Sequence, residues 1–108
     1  MNALFSAPHI GHLYSAVITD CLFRFEKLQT ESREYVFSTG TDEHGLKIHQ
    51  AAEQRGQPVA DYCNAIANSY KALFDKSSIG YTDFIRTTEE RHKRAVGHFW
   101  VIRIWLLW

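Results

Sequence analysis

The stretch Pro8-His9-Ile10-Gly11-His12 places two histidines three residues apart, with a glycine between them, where a loop passes into an apolar-periodic run. No other feature restricts the possible folds of this chain as sharply. Positions i and i+3 of an α-helix share a face, so both rings can address an anion seated at the helix N-terminus. Free backbone N–H groups and the helix dipole favour negative charge there. Gly11 removes the side chain that would hold a flat ligand, such as an adenine ring, off the backbone. His9, Ile10, Gly11 and His12 form a candidate ATP-binding element. The bland alternative is a pair of helix-cap histidines.

Downstream of this element the pattern alternates. Leu13, Ala16, Val17, Cys21, Leu22, Phe25 and Leu28 recur at helical spacing and predict a helix from His9 to Thr30. The β-branched and aromatic run from Glu34 to Thr39 ends at Gly40 and predicts a strand. A helix over 43–55 follows, stopped by Gly56 and Pro58. Val59, Tyr62, Ile66, Tyr70, Leu73 and Phe74 mark another, ending near Ser77 to Gly80. Asp83 to Thr87 reads as a second strand, and Thr87 with Glu90 has capping-box spacing for a last helix. Alternating helices and strands predict an α/β fold, half of a doubly wound Rossmann-like sheet.

Composition narrows the partners. Twelve basic and 12 acidic residues give a formal net charge of zero. Phosphate contacts by Lys and Arg supply most nucleic-acid affinity, so this balance argues against the main RNA-gripping surface lying here. Cys21 and Cys63 lie far apart, outside any C-x-x-C pattern, and read as buried free thiols. No apolar run reaches the roughly 18 residues of a membrane span, and the first eight residues show no targeting peptide. His49, His92 and His98 read as surface or capping residues, and Arg91, Lys93 and Arg94 as a solvated face. No spacing matches a metal-ligand pattern, so no metal site and no zinc are expected.

A second string, Thr39-Gly40-Thr41-Asp42-Glu43-His44-Gly45, puts a carboxylate at the C-terminal end of a strand, where open α/β sheets bind ligands. Taken alone, Asp42 reads as the N-cap of the helix that follows. Together with His9-Ile10-Gly11-His12, and with the third string from Asp83 through Arg86-Thr87-Thr88-Glu89-Glu90-Arg91 to His92, it resembles the class I aminoacyl-tRNA synthetases. The three strings in this order are similar to the methionine enzymes of the bacterial and mitochondrial branch. A small nucleotidyltransferase using H-x-G-H fits less well, because it leaves the second and third strings unexplained.

The resemblance implies a methionine-tRNA ligase with ATP, methionine and tRNA(Met) as partners and magnesium as the counter-ion of ATP. His9 and His12 would be the catalytic residues, donating to the phosphates, Asp42 would hold the α-ammonium of methionine, and His44 would lie near the adenylate, leaving Glu43 structural. The likeness to animal mitochondrial forms implies the mitochondrial matrix, with the cytoplasm as the alternative. No membrane partner is expected, and none of the motifs speaks to oligomeric state.

Residues 1–100 read as the N-terminal half of a class I catalytic domain and residues 101–108 as an apolar tail foreign to the family. The strand that leads into the histidine motif in the family is only weakly matched by residues 1–7. No Lys-Met-Ser-Lys-Ser-like string is present. The expectation is a fold truncated at both ends, with the alternative function of a non-catalytic fragment that binds ATP weakly at most.

Overall fold

The computed structural model describes residues 7–29 and 34–106. The order is α1 (Ile10–Gln29), β1 (Ser38–Thr41), α2 (Leu46–Gln54), α3 (Val59–Lys76), β2 (Asp83–Arg86) and α4 (Glu90–Leu106). The weakly matched leading strand falls on residues that lie, up to residue 6, outside the described ones.

The strands pair in parallel, with Ser38, Thr39, Gly40 and Thr41 opposite Asp83, Phe84, Ile85 and Arg86. Parallel strands need a crossover, and here α2 and α3 supply it. The first strand lies later than the sequence predicts. Residues 34–37 stay out of the ladder: Val36 is exposed, and Phe37 spends its backbone N–H and carbonyl on Thr82, just ahead of β2. The ladder instead runs through Gly40, where a Cβ would fall 1.8 Å from the Ile85 carbonyl oxygen. Only glycine permits that approach, so the residue that reads as a strand stop is a strand interior.

The helix stops follow backbone chemistry. Gly56 has φ +63°, donates its N–H to the Glu53 carbonyl, and Gln57 reaches back to Ala52, closing α2 with a Schellman motif. Ser78 does the same for α3 at φ +54°, with Ile79 N–H bonded to Phe74 O. Ile79 and Phe74 are both buried in the main core, the apolar contact that accompanies this motif. That core also holds Ala16, Phe37, Ala67 and Phe84, so it sits between α1, α3 and the sheet. A second cluster of Ile48, Ala52, Tyr62 and Cys63 packs α2 on α3.

Buried Asp20 ties α1 to the turn after α3. Its carboxylate accepts from Gly80 N–H at 2.8 Å and from Arg24 Nε at 2.7 Å, while Arg24 Nη2 donates to Ser78 O. Burial by itself raises this carboxyl's pKa, and the bonds from Arg24 and Gly80 outweigh it and leave the group below its ordinary value.

Further expectations change. The helix predicted from residue 43 opens at Leu46 behind Gly45 at φ +109°, with no side-chain cap, so Asp42 is not its N-cap. Thr87 does not form a capping box with Glu90: α4 begins at Glu90, and the Thr87 hydroxyl accepts Glu43 N–H instead. Arg91 lies on an exposed face, as read, but is also paired. It donates to both Asp83 oxygens, to Glu89 and to Phe84 O, pinning the first turn of α4 onto β2. Past this clamp Val96, Phe99, Trp100, Val101 and Ile102 are exposed, and the helix continues through the apolar stretch to Leu106. Cys63 is buried and Cys21 exposed, both as free thiols, so only one of them is a buried thiol. No helix of the described residues is long and apolar enough to cross a membrane.

Candidate active site

His9 precedes the first helical residue and acts as the N-cap of α1: its carbonyl accepts Leu13 N–H, and its ring Nδ1 accepts Gly11 N–H at 3.1 Å. His12 stands at the third helical position and returns the bond, its Nδ1 accepting His9 N–H at 3.2 Å. This is the reciprocal logic of a capping box, carried out with imidazoles. The capping reading is met by these bonds. Each Nδ1 is committed to a backbone donor, so each neutral ring carries its proton on Nε2. The rings lie 3.9 Å apart between centroids. A Cβ at Gly11 would sit 3.0 Å from His9 Cε1, which gives the glycine a second reason: it lets the His9 ring fold back over the first turn.

At the far side, β1 and β2 end side by side because they are parallel, and both ends are polar. Glu43 is buried and accepts a bidentate pair from Arg86, Nε to Oε1 at 2.6 Å and Nη2 to Oε2 at 3.0 Å. Thr41 adds a bond at 2.8 Å, and Thr88 donates to Oε2. Burial raises the Glu43 pKa, but the bonds from Arg86, Thr88 and Thr41 prevail and hold it below the usual carboxylate range. The Glu43 bonds raise Arg86 in return. These bonds tie Glu43 to the end of β2 and the residues after it.

Thr87 links this cluster to Asp42. Its hydroxyl accepts Glu43 N–H at 2.8 Å and faces Asp42 Oδ1 at 3.4 Å, and the same Oδ1 accepts His44 N–H at 3.2 Å. One oxygen of Asp42 is thereby fixed, while Oδ2 makes no hydrogen bond among the described residues. His44 Nε2 approaches Thr87 O at 3.3 Å.

Between the two ends lies a cavity of about 110 Å³. His12 walls it from α1, Gly40, Thr41, Asp42 and Glu43 from the end of β1, and Tyr62, Cys63, Ile66 and Tyr70 from α3. Of the residues singled out in the sequence, His12 and Asp42 meet on this cavity; His9 stacks on His12 beside it, and His44 is not on its wall. Burial first, and Glu43 second, push the Cys63 thiol up, so it remains a neutral wall residue. Among the described residues no three His, Cys, Asp or Glu side chains converge to hold a metal.

The family model for tRNA synthetases class I (M) matches residues 4–103, three residues past the end of the motif-based likeness. The chain belongs to the class I tRNA synthetases of the methionine type. The mitochondrial methionine-tRNA ligase of Takifugu rubripes is 52% identical over 97 residues, and that of Homo sapiens 52% over 96. The Rickettsia bellii methionine-tRNA ligase is 44% identical over 93 residues. Those matches cover 90, 88 and 86% of this synthetase chain, which spans only 16 to 18% of the three relatives. The methionyl-tRNA synthetase of Mycobacterium tuberculosis, solved bound by methionyl-adenylate, superposes with a TM-score of 0.78 at 39% identity, covering 83% of this chain and 17% of that one. The α/β architecture is thus a fragment of the class I synthetase Rossmann-like fold.

Sequence reasoning missed Arg86, Thr87, Thr88 and Tyr70 as parts of the site. The first three had a signal: two strands joined by a helical crossover run parallel, so the residues after β2 must lie beside those after β1. Tyr70 read as one apolar position of a helical stripe, and its spacing gives no hint of the hydroxyl's destination.

Proposed function

We propose that this segment is the opening part of the catalytic fold of a methionine-tRNA ligase. The observation that carries the reading is His12 and Asp42 on one cavity, in a chain that superposes on a synthetase solved with methionyl-adenylate. In this reading the cavity takes methionine, whose ammonium group pairs with Asp42 by a charge-assisted hydrogen bond. ATP lies across the start of α1, against Ile10 and Gly11. Methionine's carboxylate oxygen attacks the α-phosphorus; that P–O bond forms as the bond to the β-phosphate breaks, and pyrophosphate leaves with the electron pair. The Nε2–H groups of His9 and His12 donate to the phosphate oxygens as charge builds. A donor aimed at such charge is worth about 10²–10³ in rate. No side-chain nucleophile is needed, so positioning and charge stabilisation do the catalysis.

His44 borders the adenylate in this reading. Magnesium is carried in on the ATP phosphates and needs no protein cage, and no zinc takes part. tRNA(Met) accepts the methionyl group on its 3′-terminal ribose, and the likeness to mitochondrial relatives supports the mitochondrial matrix as the compartment. Residues 1–100 contribute the N-terminal half of the catalytic domain. The 108-residue polypeptide alone does not turn over, since it holds the histidine pair without a Lys-Met-Ser-Lys-Ser-like loop.

Pyrophosphate exchange with methionine and ATP tests this. A full-length ligase carrying this segment is expected to exchange, and the 108-residue chain is not. His12→Ala is expected to lower kcat and kcat/KM alike, whereas Asp42→Ala raises the KM for methionine. Histidine variants that mainly raised that KM would refute the assignment.

A further inference from the structure

Tyr70 is half-buried on α3 and has no part in the chemistry described so far. Its hydroxyl lies 3.1 Å from His12 Nε2, and its ring meets the His12 ring edge-on at 5.1 Å and the Phe74 ring at 6.0 Å. Tyr70 lines the cavity it shares with Asp42 and also the adjoining one bordered by Ser15, Thr19 and Thr39.

The direction of this hydrogen-bond chain is fixed at its origin. A backbone N–H can only donate, so His9 N–H makes His12 Nδ1 an acceptor and puts the neutral ring's proton on Nε2. Nε2–H then donates to the Tyr70 oxygen, which leaves the phenol's own proton to be given onward. The hydroxyl donates to nothing else among the described residues. Burial raises the Tyr70 pKa, so that proton is retained at neutral pH.

We propose that Tyr70 is a ligand-binding residue, its hydroxyl donating to a carboxylate oxygen of the α-amino acid whose ammonium group rests on Asp42. This deepens the reading of the cavity as the amino-acid site and rests on it. The two ends of a zwitterion are then read from opposite walls, Asp42 at the end of β1 and Tyr70 on α3. His12 Nε2–H carries one proton, which rests on the Tyr70 oxygen before nucleotide arrives and turns to the phosphate as charge builds there.

The test uses a full-length ligase carrying this segment, with methionine and L-methioninol as probes; the second keeps the ammonium group and lacks the carboxylate. Tyr70→Phe keeps the ring and its packing. It is expected to weaken methionine binding about tenfold or more, the scale of a hydrogen bond to a charged group, and to leave methioninol unchanged. Asp42→Asn is expected to weaken both probes. Equal losses of both probes in Tyr70→Phe would mean a packing role and overturn the proposal, as would no loss of either while Asp42→Asn weakens both. If Asp42→Asn moves neither probe, the amino-acid reading of the cavity fails, and the Tyr70 proposal falls with it.

Discussion

At the histidine end of the site, the bonds that aim the two rings through Nδ1 span two and three residues: Gly11 N–H to His9, and His9 N–H to His12. At the carboxylate end, the bonds that hold Asp42 and Glu43 against the second strand span 43 to 45 residues, from Arg86 and Thr87. The histidine device is local, whereas the carboxylate device, with Glu43 buried and Asp42 exposed, depends on strand register. A turn of helix is enough to build the first. The second exists only once β1 and β2 are paired.

The sharpest way to break this contrast is Gly40→Ala. A methyl group cannot coexist with the Ile85 carbonyl oxygen at 1.8 Å, so the strands must separate. The expected cost is more than about 4 kcal/mol, in the range reserved for severe single substitutions. Amide hydrogen exchange would show protection lost across β1 and β2 while the first turn of α1 keeps its own; retained strand protection would disprove so close an approach.

Next comes the buried ion pair. Arg86→Met leaves Glu43 buried without its partner and is expected to cost about 3–5 kcal/mol in urea unfolding, whereas adding Glu43→Leu should recover much of that loss. The sign of the pH dependence follows from the depressed Glu43 pKa. Its contribution is complete above the ordinary carboxylate range and is lost as pH falls through the lower folded value. Glu43→Gln should flatten the acid limb of the stability profile, and an unchanged limb would show that the pair does not carry it.

Thr87→Val removes the hydroxyl that spans Glu43 N–H and Asp42 while keeping the shape. The orphaned N–H is expected to cost about 1–3 kcal/mol. In the ligase the KM for methionine should rise with kcat little changed, separating a loosened Asp42 from damage at the histidines. The smallest stability effect belongs to His9→Ala, about 1 kcal/mol for a lost cap, confined to exchange in the first turn of α1. Protection lost as far as the strands would mean that the histidine end is not local after all.

The same contrast decides what could be read from sequence. The helices were legible from apolar spacing, and the stop at Gly56 from its freedom to adopt positive φ. Asp42 was legible as a carboxylate at a strand end. Its supports were not, because Thr87 looks like a capping residue until β2 is set beside β1 and its hydroxyl turns to Glu43. The pairing of exposed Arg91 was not legible for the same reason: a basic run gives no sign of the Asp83 carboxylate on β2. The first strand was placed too early because Tyr35 and Val36 have strand character, while the ladder forms where Gly40 lets two backbones meet.

The crossover through α2 and α3 also sets a clock. A helical turn such as the one bearing His9 and His12 forms within about a microsecond, and closing a long chain segment adds an entropic cost before any strand contact repays it. Folding slows as contacts become more distant in sequence. The histidine turn needs only local contacts, while Asp42 acquires its final aim only once Thr87 arrives on β2's end. A growing chain must add more than forty residues after Asp42 before that carboxylate can be aimed.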